Sequence, residues 1–316
     1  MKRALAAALT SVAAAGAARA AYAVLTRRPP GGEKTWTRVN HRGEPVTLLE
    51  GPAVAAGAVL VQILSSERTS SSARPAQALA LAGAGAFGFG VYDDLAGSGK
   101  RRGLRGHLGA LANGEVTTGA VKLGGLGATG LASALLLGGS STAWEPADVA
   151  VNAGLMAGGA NLLNLFDLRP GRAIKVVTLS AALITAAGAE RGARAAAAPL
   201  GAALALLPDD LGERAMLGDA GANALGAMLG GAAAVSLPRP ARIVLLAGIV
   251  ALTGASEKVS FTKVIERTPP LRWLDMLGRR PRAVVDVAPA AREAEAAGVS
   301  TVRSGENSET SPRRET

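Results

Sequence analysis

The chain has 316 residues, 49% of them apolar and only 3% aromatic, a formal charge of +10, two histidines and no cysteine. Without cysteine there is no disulfide framework, thiolate nucleophile or cysteine-based zinc site, and the wide separation of His41 and His107 argues against a histidine-rich metal centre. The lysines and arginines sit in loops between apolar runs, where membrane topology and anionic headgroups account for them, so no nucleic-acid partner is expected.

Runs of Ala, Gly, Leu and Val recur from end to end without the polar face that a soluble helix repeats every three to four residues. They predict an all-α fold, a polytopic integral membrane helix bundle of about nine transmembrane helices, with small residues letting neighbours approach closely. The first run, 4–25, follows Lys2-Arg3 and reads as a retained span, although its A-x-A-like end also suits a cleaved leader. A polar, basic loop covers 26–50. Further spans fall at 51–66, 76–92, 120–139, 148–166, 173–189, 194–208, 219–237 and 241–255. The second and seventh are short, and Pro199 marks the seventh as broken or re-entrant. Residues 1–282 form the membrane domain. The Glu/Arg/Ser-rich stretch 283–316 is expected to be a disordered tail.

Three polar motifs punctuate these runs. Asp93-Asp94 ends the third span, and two carboxylates side by side at the mouth of an apolar helix call for a cation against them. The basic, glycine-rich run Lys100-Arg101-Arg102-Gly103-Leu104-Arg105-Gly106-His107 follows. Asn161, Asn164 and Asp167 share the i, i+3, i+6 spacing of one helix face, which reads either as a polar cap at the membrane boundary or as donors and acceptors for a base, sugar or phosphate. Gly218-Asp219-Ala-Gly221 opens the eighth span, where glycines permit close backbone approach and a helix N-terminus favours an anion. Two spans separate each motif from the next, so all three emerge on one side. That side carries most of the 34 Lys+Arg, which makes it cytoplasmic; Lys2 and Arg3 fall on the opposite side.

The ordered set Asp93-Asp94, Lys100-x-x-Gly103-Leu104-x-Gly106-His107, Asn161-x-x-Asn164-x-x-Asp167 and Gly218-Asp219-x-Gly221 resembles the polyprenyl-phosphate N-acetylhexosamine-1-phosphate transferases. That family includes the phospho-N-acetylmuramoyl-pentapeptide and N-acetylglucosamine-1-phosphate transferases of cell-envelope glycan synthesis, and the likeness covers roughly residues 20–255. It implies a Mg²⁺ site on the cytoplasmic face of a bacterial inner membrane, a UDP-sugar donor, a polyprenyl phosphate acceptor and release of UMP. By resemblance Asp219 is the foremost metal ligand. Asp93 and Asp94 are metal ligands, or one of them is the base for the lipid phosphate. Asn161, Asn164 and Asp167 position nucleotide and diphosphate. Lys100, Arg105, His107 and Lys122 are candidate phosphate contacts, each of the cations serving equally as a topology-setting charge.

Two departures bear on the substrate. The run Asp167-Leu-Arg-Pro170-Gly171 lacks a further aspartate of the muramoyl-pentapeptide enzymes, and the histidine motifs of both groups are missing, so neither sugar is assigned. Lys258, Lys263 or Arg267 would stand in for the absent cation. Two other readings stay open: a family member without activity, and a transporter or lipid-binding protein in which the acids form an ion path. A homodimer is also open.

Overall fold

The helix that the others surround is mostly glycine and alanine, 12 of its 19 residues. The computed structural model describes residues 2–65, 73–97, 103–138 and 145–281, and Met1–Arg280 form one compact unit. The expected tail, 283–316, lies outside the described residues. In chain order come α1 (Lys2–Arg27), α2 (Glu33–Trp36), β1 (Thr37–Val39), β2 (Pro45–Thr47), α3 (Glu50–Leu64), α4 (Arg74–Ala96), α5 (Gly103–Ala112), α6 (Thr118–Gly138) and α7 (Pro146–Phe166). Then follow α8 (Arg172–Leu211), α9 (Gly218–Ser236), α10 (Arg239–Ser256), α11 (Phe261–Arg267) and α12 (Pro269–Met276). The bundle is helical as expected, but the 26–50 loop is structured: β1 and β2 pair antiparallel with Arg38 opposite Val46, and Trp36 is buried against Leu48 and Leu49.

Among the described residues, four helices are long and apolar enough to cross a membrane: Ala4–Arg27 within α1, Thr118–Gly138, Pro146–Phe166 and Arg239–Ser256. Nine were expected; α3, with 15 residues, is shorter than a full span, and for α9 the packing accounts for the difference. In α9 every residue from Ala220 to Ala234 is buried, enclosed by α3, α4, α7 and α8. A helix walled by protein needs small side chains rather than lipid-facing ones, and its hydropathy drops accordingly. A Cβ on Gly226 would stand 2.3 Å from the Gly159 carbonyl oxygen, and one on Gly230 2.2 Å from that of Leu155. Gly226→Val is therefore expected to push α7 off α9 and cost about 1–3 kcal/mol, read as a lower melting temperature in detergent. An unchanged melting curve would mean that α7 yields without loss.

The two spans expected at 173–189 and 194–208 are one helical stretch of 40 residues, α8. Straight, it would measure about 60 Å. Yet a Cβ on Gly171, its N-cap, would meet Leu211 at its far end at 2.3 Å, and one on Gly192 would meet the Ile184 carbonyl at 2.2 Å. The stretch therefore doubles back within 185–192, and its two arms run antiparallel. Pro199 lies inside the second arm without ending it.

The polar ends of the helices gather in two groups. At one, Arg38 donates to the Asp94 carbonyl, Asn40 to Glu213 at 3.0 Å, Arg280 to Glu44 at 2.8 Å, and Thr47 bridges to Ala215. At the other, Arg239 pairs with Glu145 at 3.1 Å and Arg242 with Asp148 at 3.1 Å. The first group holds every acidic motif.

Candidate functional site

The N-terminus of α9 is where the motifs meet. Gly218 adopts φ 61°, a left-handed turn open to glycine, and directs α9 past α4. Gly90 lets α4 come close: a Cβ there would lie 2.5 Å from the Asp219 carbonyl oxygen. Asp94, in the last turn of α4, then caps α9 from another helix. Its Oδ1 accepts the Asp219 N–H at 3.0 Å and its Oδ2 the Ala220 N–H at 2.9 Å. Two orphan donors of the helix start are thereby satisfied, and a negative charge sits at the positive end of the dipole.

Asp93 faces differently. The Lys122 ammonium, from the second turn of α6, stands 2.7 Å from Asp93 Oδ2 and also bonds Asp219 Oδ2. The two carboxylates lie within hydrogen-bonding reach of each other, and the Thr118 hydroxyl reaches Asp93. The cation that the acid pair called for is thus supplied by the chain itself. Of the two neighbours, Asp93 shares it with Asp219, and Asp94 is committed to backbone.

Asp167 arrives through the α7–α9 register. Leu155 lies against Gly230 and Gly159 against Gly226; continued to the end of α7, this antiparallel pairing brings Asp167 level with Gly218, whose N–H faces its carboxylate. Asn161 and Asn164 are half-buried in the last turns of α7, at the end of the helix that leads to Asp167. Asp167 is buried and its Oδ2 has no hydrogen-bond partner. Burial pushes its carboxyl well above the usual range, the Asp210 charge beside it adds to the rise, and the Gly218 N–H opposes it. A carboxyl raised in the native state favours folding below its unfolded pKa of about 4 and loses that contribution as pH climbs through the native value. Asp167→Asn is accordingly expected to stabilise the fold by about 1–3 kcal/mol at pH 8 and by less at pH 5. Melting curves across that range check it; a gap that shrinks as pH rises would refute the assignment.

Beside Asp167 lies a cavity of about 190 Å³ whose walls include Asn40, His41, Asp210, Glu213 and Arg169. Asp210 and Asp209 end α8, and the Gly171 N–H faces Asp210. Glu50, at the start of α3, is fully buried with both oxygens unpartnered, in the field of Asp210 and Asp167. Asn223, one turn into α9, is likewise buried with both side-chain polar atoms unpaired. The sequence reading missed these groups. Asp209-Asp210 repeats the signal of Asp93-Asp94, an acid pair closing an apolar run on the same face by parity. Nothing local marks Glu50.

The remaining candidates are placed as follows. The His107 Nδ1 lies 2.8 Å from the Thr117 hydroxyl, which itself accepts the Ala120 N–H at 3.1 Å. His107 thus packs on the N-terminus of α6, in contact with Gly119, rather than on the acids. Arg105 lies in α5 with only its backbone described, and Lys100 lies outside the described residues. Among the described residues, no three of the His, Asp and Glu side chains are grouped so as to hold a metal ion.

No protein-family model matches the chain, and a search of curated proteins finds no match either.

Proposed function

We propose that the chain is a Mg²⁺-dependent polyprenyl-phosphate phosphoglycosyl transferase, taking a sugar-1-phosphate from a UDP-sugar of the N-acetylhexosamine type. The observation that carries this reading is the meeting of Asp93, Asp94, Asp167, Asp219 and Lys122 at the first turn of α9, although their positions span about two-fifths of the sequence. Acid pairing for mere stability would not need three separate motifs. On this reading the bundle crosses a bacterial inner membrane nine times, through α1, α3, α4, α6, α7, both arms of α8, α9 and α10, with the site on the cytoplasmic face. The doubled α8 supports that count, because it returns Asp209 and Asp210 to the face of Asp167.

Asp93 and Asp219 are the carboxylates that would hold a hard divalent cation, in the place that the Lys122 ammonium takes between them. Asp93 and Asp219 already bracket one positive charge, and Mg²⁺ keeps several waters and takes further oxygens from substrate phosphates, so two carboxylates suffice from the protein. When bound, the ion supplies neutralisation of the donor diphosphate and of departing UMP. In the reaction, an oxygen of the lipid phosphate attacks the sugar-bearing phosphorus of the donor, and the bond from that phosphorus to the bridging oxygen breaks, releasing UMP. The attacking phosphate is already anionic, so repulsion is the obstacle. Lys122 is placed to offset it, and Asp94 fixes the α9 amides that hold Asp219 in position. Asn161 and Asn164 offer neutral donors and acceptors to sugar or base.

An apolar groove suits the acceptor chain. A cavity of about 260 Å³ between α7, α8, α9 and α10 begins at Leu162 and Leu163, beside Asn161 and Asn164, and continues past Gly226 and Leu229 to Leu237 and Leu245. It would receive the first part of a prenyl tail. The decisive experiment incubates purified protein with prenyl phosphate, Mg²⁺ and a panel of UDP-sugars. UMP release with one sugar supports the transferase. Silence across the panel, with ion flux in vesicles, would replace it with a transporter.

A further inference from the structure

The last two helices on the site face are built the wrong way round for water. In α12 the one buried residue is a carboxylate, Asp275, while Leu271, Trp273 and Leu274, together with Leu277 just beyond, are 44%, 68%, 40% and 53% exposed. Each residue turns a helix by about 100°, so Trp273 and Leu277 face away from Asp275. Polar contacts hold the helix to the bundle. Arg172 of α8 grips Asp275 with Nε–Oδ1 at 2.6 Å and Lys175 of α8 donates to its carbonyl at 2.7 Å, while Arg279, four residues on, reaches the same carboxylate at 2.8 Å. In α11 Phe261 stacks on Phe166 with ring centroids 5.2 Å apart, and Val264 is exposed.

Water would favour the reverse arrangement, with the leucines and tryptophan inward. A membrane interface favours what is seen: an apolar face with a tryptophan, rimmed by cations. The rim is present, for Lys263, Arg267 and Arg272 on the two helices and Lys258 just before them are all exposed, against an exposed Glu266. The pair also follows α10, a helix of membrane-crossing length, by a short connection from Ser256 to Phe261.

We propose that α11 and α12 lie in the headgroup layer of the membrane on the site face, with Trp273, Leu274 and Leu277 in the acyl boundary and the flanking lysines and arginines on anionic lipid phosphates. The Arg172–Asp275 pair then ties a lipid-bound helix to the residue that follows Gly171, so the lipid composition of that leaflet bears on the loop carrying Asp167. This rests on the chain crossing a membrane, and does not depend on the transferase reading.

The absence of cysteine makes the test clean. Full-length Trp273→Cys and Leu277→Cys, spin-labelled in nanodiscs, are compared with Val250→Cys on the exposed face of α10 and Lys34→Cys on the polar loop. Collisions with oxygen are expected to exceed those with an aqueous nickel chelate at 273 and 277, as at 250, and to fall below them at 34. The excess should shrink when phosphatidylglycerol is replaced by phosphatidylcholine. Neither side chain supports the core, so both variants should fold; as a second measurement, Trp273→Phe should remove a component of brominated-lipid quenching. Three results would overturn the proposal: nickel collisions dominating at both positions while 250 remains lipid-exposed, spin–spin broadening that reveals a second copy on this face, or protection that vanishes on deleting 282–316. Loss of the oxygen excess at 250 as well would instead sink the membrane reading beneath it.

Discussion

If the chain is the transferase proposed above, Asp219→Asn is expected to lower Mg²⁺-dependent UMP release by about a thousandfold, the scale on which removing one electrostatic contact to the transition state is felt. The substitution is conservative for the fold. Asparagine keeps the backbone N–H that Asp94 accepts, and it fills the same space at the first turn of α9. What disappears is the charge that shares Lys122 with Asp93. Asp94→Asn should behave differently, since an amide would turn its NH₂ toward the N–H of Asp219 or Ala220, two donors face to face. Activity and melting temperature should therefore fall together for Asp94→Asn, and activity alone for Asp219→Asn. Size-exclusion profiles, melting curves and UMP release on the same preparations separate the two. Full activity in both variants would remove this site from the chemistry.

The second large effect concerns Asp275→Ala. Its partner Arg172 has a side chain only 5% exposed, so truncating the acid strands a buried guanidinium, a change that costs about 3–5 kcal/mol. Burial raises the Asp275 carboxyl, but the hydrogen bonds and charge of Arg172 outweigh it and hold the group below the usual carboxylate range. A depressed native value means that the stabilisation is complete above the unfolded pKa of about 4 and is lost as pH falls through the native one. Hydrogen exchange should thus show α12 opening in wild type only in acid, and in Asp275→Ala at neutral pH. Equal protection in both at pH 7 would show that α12 is held by something else.

Much of the bundle is legible in the sequence. Apolar runs located the helices to within a few residues, because a lipid-scale run of small and branched side chains has few alternatives to helix. The parity of those runs also put the acidic motifs at one end, where the contacts of Arg38, Asn40 and Arg280 gather them. Helix ends were less legible. Asp93 and Asp94 read as a pair following a span, but they occupy its last turn, and the one-residue offset between them sends one to Lys122 and the other to the α9 amides. No local pattern distinguishes those fates, which depend on where Gly218 turns the chain. The α8 hairpin and the β1–β2 cap were hidden for a related reason. Each is held by partners far off in sequence, such as Thr47 with Ala215 or Gly171 with Leu211. The inverted α12 escaped notice because Asp275 looks like any solvated acid until Arg172 is found beneath it.

The enclosure of α9 carries a consequence for biosynthesis. On a ribosome, α3, α4 and α7 leave the exit tunnel well before Gly218, so their glycine-lined grooves must wait, unfilled, for a stave made late in translation. Until it slots between them, Asp94 and Asp167 have no amides to hold and Lys122 has only half of its counter-charge. A nascent chain stalled short of residue 236 should be a preferred client of protein quality control, and one released after it should escape.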